Sequence, residues 1–171
     1  MQRARRSGPI SLGWWFHLEA DVDWKWSDFK GLSQDELYAL LQLRQAVFVV
    51  EQDCPYLDAD GLDAQAWHLL GWKDDRLVAY LRAFAPGALK PQAVIGRVIT
   101  ASVLRGQGWG RPLMQMGMDR CGETFGAAPI FVSAQSHLAP FYGSLGFVVS
   151  GPGYDEDGIP HLPMIWPGPT S

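Results

Sequence analysis

Cysteine is scarce in this 171-residue chain: Cys54 and Cys121 stand far apart, outside any Cys-x-x-Cys or Cys/His cluster. A disulfide scaffold or a zinc module is therefore not expected, and lone thiols fit a reducing, cytoplasmic setting. No apolar run reaches the ~20 residues that span a bilayer. Arg3, Arg5 and Arg6 imitate the start of a signal peptide, but Ser7 to Gly13 carries Ser, Pro and Gly where an apolar core should follow. Neither secretion nor membrane association is expected. Basic charge is also short, with Lys+Arg 14 against Asp+Glu 18 and a net charge of -4. Without a surplus of cations to neutralise phosphates, nucleic acid is not an expected partner. Asp58, Asp60 and Asp63 surround Gly61 but lack the spacing of a calcium loop, so no metal is expected. Internal repeats and low-complexity segments are absent.

What is present suffices for one folded domain. At 47% hydrophobic and 19% charged residues, a chain of this length buries roughly 70% of its unfolded surface. Residues 1–20 read as a mobile N-terminal extension whose Trp14, Trp15 and Phe16 could dock, and residues 21–171 as the domain. Near-alternation of Trp24, Trp26 and Phe29 predicts a strand over Val22 to Phe29. Ser33 with Glu36 has capping-box spacing and opens a helix carrying Leu37, Leu40, Leu41, Val47 and Phe48, ending near Val50. Trp67 to Trp72 and Leu77 to Phe84, joined through Lys73 to Arg76, read as a hairpin. Val94 to Val103 is β-branched and reads as a central strand. A helix with Leu113, Met114, Met116, Met118 and Cys121 on its apolar face follows, ended by Gly122 or Gly126. Ile130 to Ala134 reads as a strand, Leu138 to Leu145 as a short helix, and Phe147 to Val149 and His161 to Trp166 as closing strands.

Between the central strand and that helix lies Arg105, Gly106, Gln107, Gly108, Trp109, Gly110. Glycines permit a tight turn and close backbone approach, and the following helix N-terminus favours an anion by about 0.3–1 kcal/mol. It is neither the dinucleotide fingerprint, because Arg111 stands where the third glycine should, nor a Walker loop, because no Gly-Lys-Ser/Thr follows. From the loop alone, a pyrophosphate site and a ligand-free turn are equally open.

Arg105-x-x-Gly108-x-Gly110, after a β-branched strand and before Leu113, resembles motif A of the GNAT superfamily of acyl-CoA-dependent N-acyltransferases. Phe141, Tyr142, Gly143, Ser144, Leu145, Gly146, Phe147 resembles its second signature, in the matching order and spacing. The run Leu43 to Gln52, then Cys54, Pro55, Tyr56, Asp60, Gly61, Asp63 and His68, and the terminal Tyr154 to His161 look like the ElaA-type branch, and the likeness covers about Trp24 to Trp166. The resemblance implies an α/β (α+β) single domain with a mixed, mostly antiparallel central sheet splayed between two central strands and flanked by helices. It also implies acetyl-CoA as co-substrate, its pantetheine arm along the strand Arg97 to Val103 with Val98, Ile99 and Thr100 as cofactor-binding residues. The pyrophosphate would lie on Arg105, Gly106, Gln107, Gly108, Trp109, Gly110 and Arg111, with Gln135 and Tyr142 completing the cofactor site. Two departures stand out: Trp109 is bulkier than the aliphatic residue usual between those glycines, and Pro112 removes one potential amide donor, although Pro is tolerated in a first helical turn.

Amide formation needs a neutral amine. A lysine-like amine of pKa ~10.4 is neutral about once in 2,500 at pH 7, a deficit of about 4.6 kcal/mol, so a base matters. Glu51, Asp53, His68 and His161 are the candidates; Glu51 is preferred, because partial desolvation at a helix end would raise its pKa toward a useful range. His68, between Trp67 and Leu69, is a second catalytic candidate beside its reading as a core histidine. Tyr142 matches the tyrosine that this superfamily uses as general acid toward the departing thiolate. An amide of Val98 or Ile99 would stabilise the oxyanion. Cys54 lacks a Cys-His setting and is not expected to form an acyl-enzyme. The stretch from Glu51 to Asp63 contains no Lys or Arg, and it reads equally as a lure for a cationic amine and as a solvated loop. The expected activity is direct acetyl transfer from acetyl-CoA to a primary amine of a small molecule, peptide or protein, by a monomer or homodimer. The alternative is an acyl-CoA-binding regulatory module with little catalysis.

Overall fold

Ser33 starts the first long helix as its capping box predicts. Its hydroxyl accepts from the Glu36 amide at 3.1 Å, and the Glu36 carboxylate accepts from the Ser33 amide at 2.7 Å. Lys25 also bonds Glu36, tying this helix to the first strand. The computed structural model describes residues 22–169, so the reading of an N-terminal extension lies outside the described residues. In chain order the elements are β1 (Asp23–Asp28), α1 (Gln34–Arg44), β2 (Trp67–Lys73), β3 (Arg76–Phe84), β4 (Ala93–Thr100), α2 (Gly110–Phe125), β5 (Ile130–Gln135), α3 (Ala139–Gly143), β6 (Val148–Val149), β7 (Tyr154–Glu156) and β8 (Ile159–Trp166).

The strands form one sheet in the order β1-β2-β3-β4-β5-β8-β6, with β7 pairing on β8. Every pairing is antiparallel except β4 with β5. Side chains alternate across each strand, so neighbouring residues serve opposite faces. Leu70, Tyr80 and Ile99 pack under Leu40 of α1, while Leu69, Leu81, Ile95, Ile130 and Val132 meet Leu113, Met114, Met118 and Cys121 of α2. Gly117 lets α2 sit close to the sheet: a Cβ there would lie 2.6 Å from Leu81 Cδ2.

Three local departures from regular geometry shape the centre. β4 and β5 pair only through Ala93 with Ile130 and Val94 with Phe131, then diverge. Opposite β3, β4 carries a bulge between the partners of Tyr80 and Arg82, with Arg97 at φ +52°. After Arg44, α1 loosens into a π-helical segment, Gln45–Glu51, which ends within a residue of the predicted helix terminus. Such widened turns gather at functional sites because they re-aim side chains at a helix end. β4 itself stops at Thr100, short of the predicted Val103, because Ser102–Leu104 closes into a 3-10 turn.

Candidate active site

The divergence of β4 and β5 opens a cavity of about 790 Å³. Phe48 lines it from the α1 face and Tyr142 from the α2 face, so the cavity passes through the sheet. Val98, Ile99, Thr100, Arg105 and Gln135, all anticipated at the cofactor site, line it as well.

Of the glycine loop only Arg105 lines this cavity, and Gly106 to Arg111 lie beyond its lining. Gly106 and Gly108 have φ of +74° and +79° with open space where a Cβ would be, so conformation rather than crowding calls for glycine there. Gly110 is different: a Cβ would come within 3.3 Å of Phe141, bringing the two signature segments into contact. The amides of Gly106, Gly108, Trp109, Gly110 and Arg111 donate to no backbone carbonyl among the described residues. The unusual Trp109 turns away from the cavity and packs, 2% exposed, against Val22, Val78 and Leu104. Its bulk anchors the loop from beneath and leaves only its backbone toward a ligand.

Tyr142 is 6% exposed and lies edge-on to Phe141 and Phe147. Burial pushes its phenol up to about 12, so the group keeps its proton throughout the neutral range. No described residue hydrogen-bonds its hydroxyl, and its ring borders the cavity.

The other two catalytic candidates, Glu51 and His68, are each engaged by neighbouring groups. Glu51 lines the cavity, but its carboxylate is hydrogen-bonded by both terminal nitrogens of Arg105, one at 2.8 Å. That pairing holds it below the usual carboxylate range, whereas desolvation was expected to raise it. His68 lies outside the cavity lining and is fully buried in β2. Its Nε2 meets the Asp63 carbonyl at 3.0 Å and its Nδ1 the Tyr80 hydroxyl at 2.8 Å. A carbonyl only accepts, so Nε2 carries the proton and Nδ1 accepts from Tyr80. Burial lowers its pKa, and both ring nitrogens are committed to structure.

Within the acidic stretch, Asp58, Asp60 and Asp63 are paired with arginines. Asp58 accepts from Arg44 Nε at 2.8 Å and from Arg97 Nε at 2.7 Å; Asp63 accepts from Arg44 at 2.6 Å and Arg82 at 2.8 Å. Asp60 pairs with Arg82 and, at 3.5 Å, with Arg97, closing a ring of alternating Arg and Asp. Arg44 is fully buried at its base. Burial would raise the Asp60 carboxyl, but hydrogen bonds from Arg82 and the Leu62 amide outweigh it and hold the group at about 2. Burial opposes the lowering at Asp63 too, and Arg44 and Arg82 overcome it. The ring clamps the segment before β2 onto β3 and the bulge of β4, and it positions Arg97 beside the Phe48 and Tyr56 rings, 5.7 Å from each centroid.

The sequence reading names His161 as a candidate base but not the hairpin that carries it to the site. Asp157 and Gly158 both have positive φ, +53° and +80°, and fold β7 back on β8 in a tight hairpin. The Asp-Gly pair is the signal that could have revealed it. The hairpin brings Glu156 and His161 to the cavity wall beside Ser133 and Gln135 of β5. Cys54, also on the wall, donates to the Asp157 carbonyl at 3.3 Å. Among the described residues no group of His, Cys, Asp and Glu has metal-binding geometry, and no helix is long and apolar enough to cross a membrane.

Comparison with known proteins agrees with this geometry. The family model described as an acetyltransferase (GNAT) domain matches residues 48–167. Protein ElaA of Escherichia coli K12 is 46% identical over 145 residues, covering 84% of this chain and 95% of that protein. A UPF0039 protein of Synechocystis is 42% identical over 152 residues, covering 88% and 99%. The crystal structure of an acyl-CoA N-acyltransferase from Pseudomonas aeruginosa matches with a TM-score of 0.82 at 46% identity, over 84% of this chain and 98% of that one. That of Escherichia coli ElaA matches at 0.79 and 45%, over 84% and 98%.

Proposed function

The chain belongs to the GNAT acetyltransferase-domain family and is an acyl-CoA-dependent N-acyltransferase, and from that premise we propose that it transfers an acetyl group from acetyl-CoA directly to a primary amine within a ternary complex. The observation that carries this reading is the combination of a loop rich in free amides, entered at Arg105, with a gap in the sheet lined by the buried Tyr142.

In this reading the amides of Gly106, Gly108, Trp109, Gly110 and Arg111 cradle the pyrophosphate, and the N-terminal dipole of α2 contributes about 0.3–1 kcal/mol per favourable charge. Pro112 withholds its donor, but five free amides precede it. Arg105 adds a cation beside them, balanced by Glu51. The pantetheine arm lies along Val98, Ile99 and Thr100, where β4 has no strand partner on its β5 side. An amide of Val98 or Ile99 donates to the oxyanion that forms when the amine attacks, and in a water-poor cleft one such donor is worth about 2.7–4 kcal/mol. Gln135, which reaches Gln52 at 3.4 Å, spans the opening from β5 to the end of the π-helical segment. Tyr142 gives its proton to the departing thiolate. Glu51 is spent on Arg105, so the base is sought elsewhere on the wall.

The test is release of free thiol from acetyl-CoA with a panel of primary amines, alongside the intact mass of the protein incubated with acetyl-CoA alone. Amine-dependent thiol release with unmodified protein supports direct transfer. A stable acyl-protein, or acetyl-CoA binding without transfer to any amine, contradicts it.

A further inference from the structure

We infer that His161 is the group that takes the proton from the acceptor ammonium, with Glu156 holding the charge that His161 then carries. This rests on the acyltransferase reading and names the class of acceptor that the site handles: an amine that arrives protonated.

Most polar residues of the cavity wall are already committed to other partners. Glu51 and Asp60 are bonded to arginines, and Cys54 donates its thiol proton to a carbonyl. His137 is exposed, with no hydrogen bond to set its tautomer. His161 is 9% exposed and sits in β8 between Gln135 of β5 and Tyr154 of β7. Its Nδ1 lies 2.7 Å from the Ile159 carbonyl. Since that oxygen can only accept, Nδ1 carries the hydrogen, and the neutral ring keeps its lone pair on Nε2. Tyr154 stacks on the ring at 6.1 Å and 18°, fixing its plane.

Nε2 lies 3.9 Å from Glu156 Oε2, beyond direct hydrogen-bond distance, so no bond to the carboxylate consumes the lone pair. Glu156 is itself positioned, since Ser133 Oγ donates to it at 3.1 Å and also bonds the Tyr154 hydroxyl. The titratable groups around His161 are thus Glu156 and Tyr154 from β7, with Asp157 and Cys54 along the adjoining wall. The imidazole is thus fixed at Nδ1 by a carbonyl and carries its lone pair on Nε2, with a carboxylate beside that same nitrogen to hold the charge it gains as a general base.

The step balances as follows. His161 Nε2 takes one proton from the ammonium, and the freed lone pair forms the C–N bond at the thioester carbonyl. The C–S bond breaks, and the thiolate takes the Tyr142 proton. The second proton lost by the acylated nitrogen returns through solvent to Tyr142, and His161 releases its own to water.

Two small probes separate this role from a structural one. Ethylamine is almost wholly protonated at pH 7, whereas hydroxylamine is largely neutral and needs no prior deprotonation. With acetyl-CoA at saturation, His161→Gln should lower kcat for ethylamine by about 10²–10⁴-fold, reduce the enzymic hydroxylamine rate far less, and leave acetyl-CoA affinity unchanged. The ethylamine deficit should narrow as pH approaches the amine's own pKa. Glu156→Gln, at an exposed position, should give a smaller loss confined to ethylamine. Equal losses with both amines, or no loss, overturn the role of His161 while leaving the transferase reading intact. Wild-type protein that acetylates only hydroxylamine also overturns it. Wild-type protein that acetylates neither removes the transferase reading and this inference together.

Discussion

Asp58→Asn is the perturbation that asks most of the Arg/Asp ring. The two side chains of the Arg44–Asp58 pair are 0% and 3% exposed, so solvent cannot replace a lost partner. Both Asp58 oxygens are engaged, one by Arg44 and the other by Arg97 and the Tyr56 hydroxyl. Asparagine keeps the shape but removes a charge and turns donors toward a guanidinium. Breaking a buried pair while its partner stays charged costs about 3–5 kcal/mol. For a domain of this size each kcal/mol moves Tm by about 2–4 °C, so the expected fall is roughly 6–20 °C. Urea denaturation with an unchanged slope would show that native stability, not compactness of the unfolded state, has altered. Arg44→Met combined with Asp58→Asn should cost less than the sum of the single variants, because the pair is removed together. A loss under about 1 kcal/mol, typical of surface pairs, or strict additivity, would refute the closed ring as a unit. The ring also has a pH signature. Asp60 and Asp63 are held below their unfolded value of ~3.9. Their contribution is therefore fully present above that value and lost as pH falls through the lowered folded values, about 2 for Asp60.

Two further expectations concern single groups. Tyr142→Phe should lower kcat by about 10²–10⁴-fold with little change in acetyl-CoA affinity, and an unchanged turnover with a good acceptor would remove Tyr142 as the acid. Burial lowers the pKa of His68 in the fold, so the unfolded chain binds its proton first; stability should be complete above ~6.5 and decline below it. His68→Gln should flatten that decline in thermal melts between pH 7.5 and 5, and an identical slope in both proteins would place the effect elsewhere.

Much of the framework was legible because its signals are local. Ser33 and Glu36 lie three residues apart and cap their own helix. The glycine loop sits between a strand and a helix that each announce themselves by periodicity, and Tyr142 lies within a contiguous signature. What escaped depends on residues distant in sequence. Each aspartate of the ring looks solvated by its neighbours, and only the fold brings Arg44, Arg82 and Arg97 to it. Glu51 reads as a desolvated helix end until Arg105, 54 positions on, arrives beside it. His68 reads as a possible base until Tyr80 and the Asp63 carbonyl occupy both its nitrogens. The π-helical segment keeps the apolar spacing of the helix before it, so periodicity cannot distinguish the two. Trp109 reads as out of place in a cofactor loop because its side chain packs on the other side, against Val22 and Val78.

The central claim is that the loop from Arg105 to Arg111 binds acyl-CoA, and isothermal titration with acetyl-CoA, NADH and ATP tests it most directly. Gly108→Glu supplies the control, since it forces a side chain onto a residue at φ +79° and sets a negative charge among the free amides. Acetyl-CoA should bind the wild type in preference to NADH and ATP, and the variant should lose that binding while melting cooperatively. Absence of acetyl-CoA binding, or equal binding by a folded variant, would contradict the assignment of the cofactor to this loop.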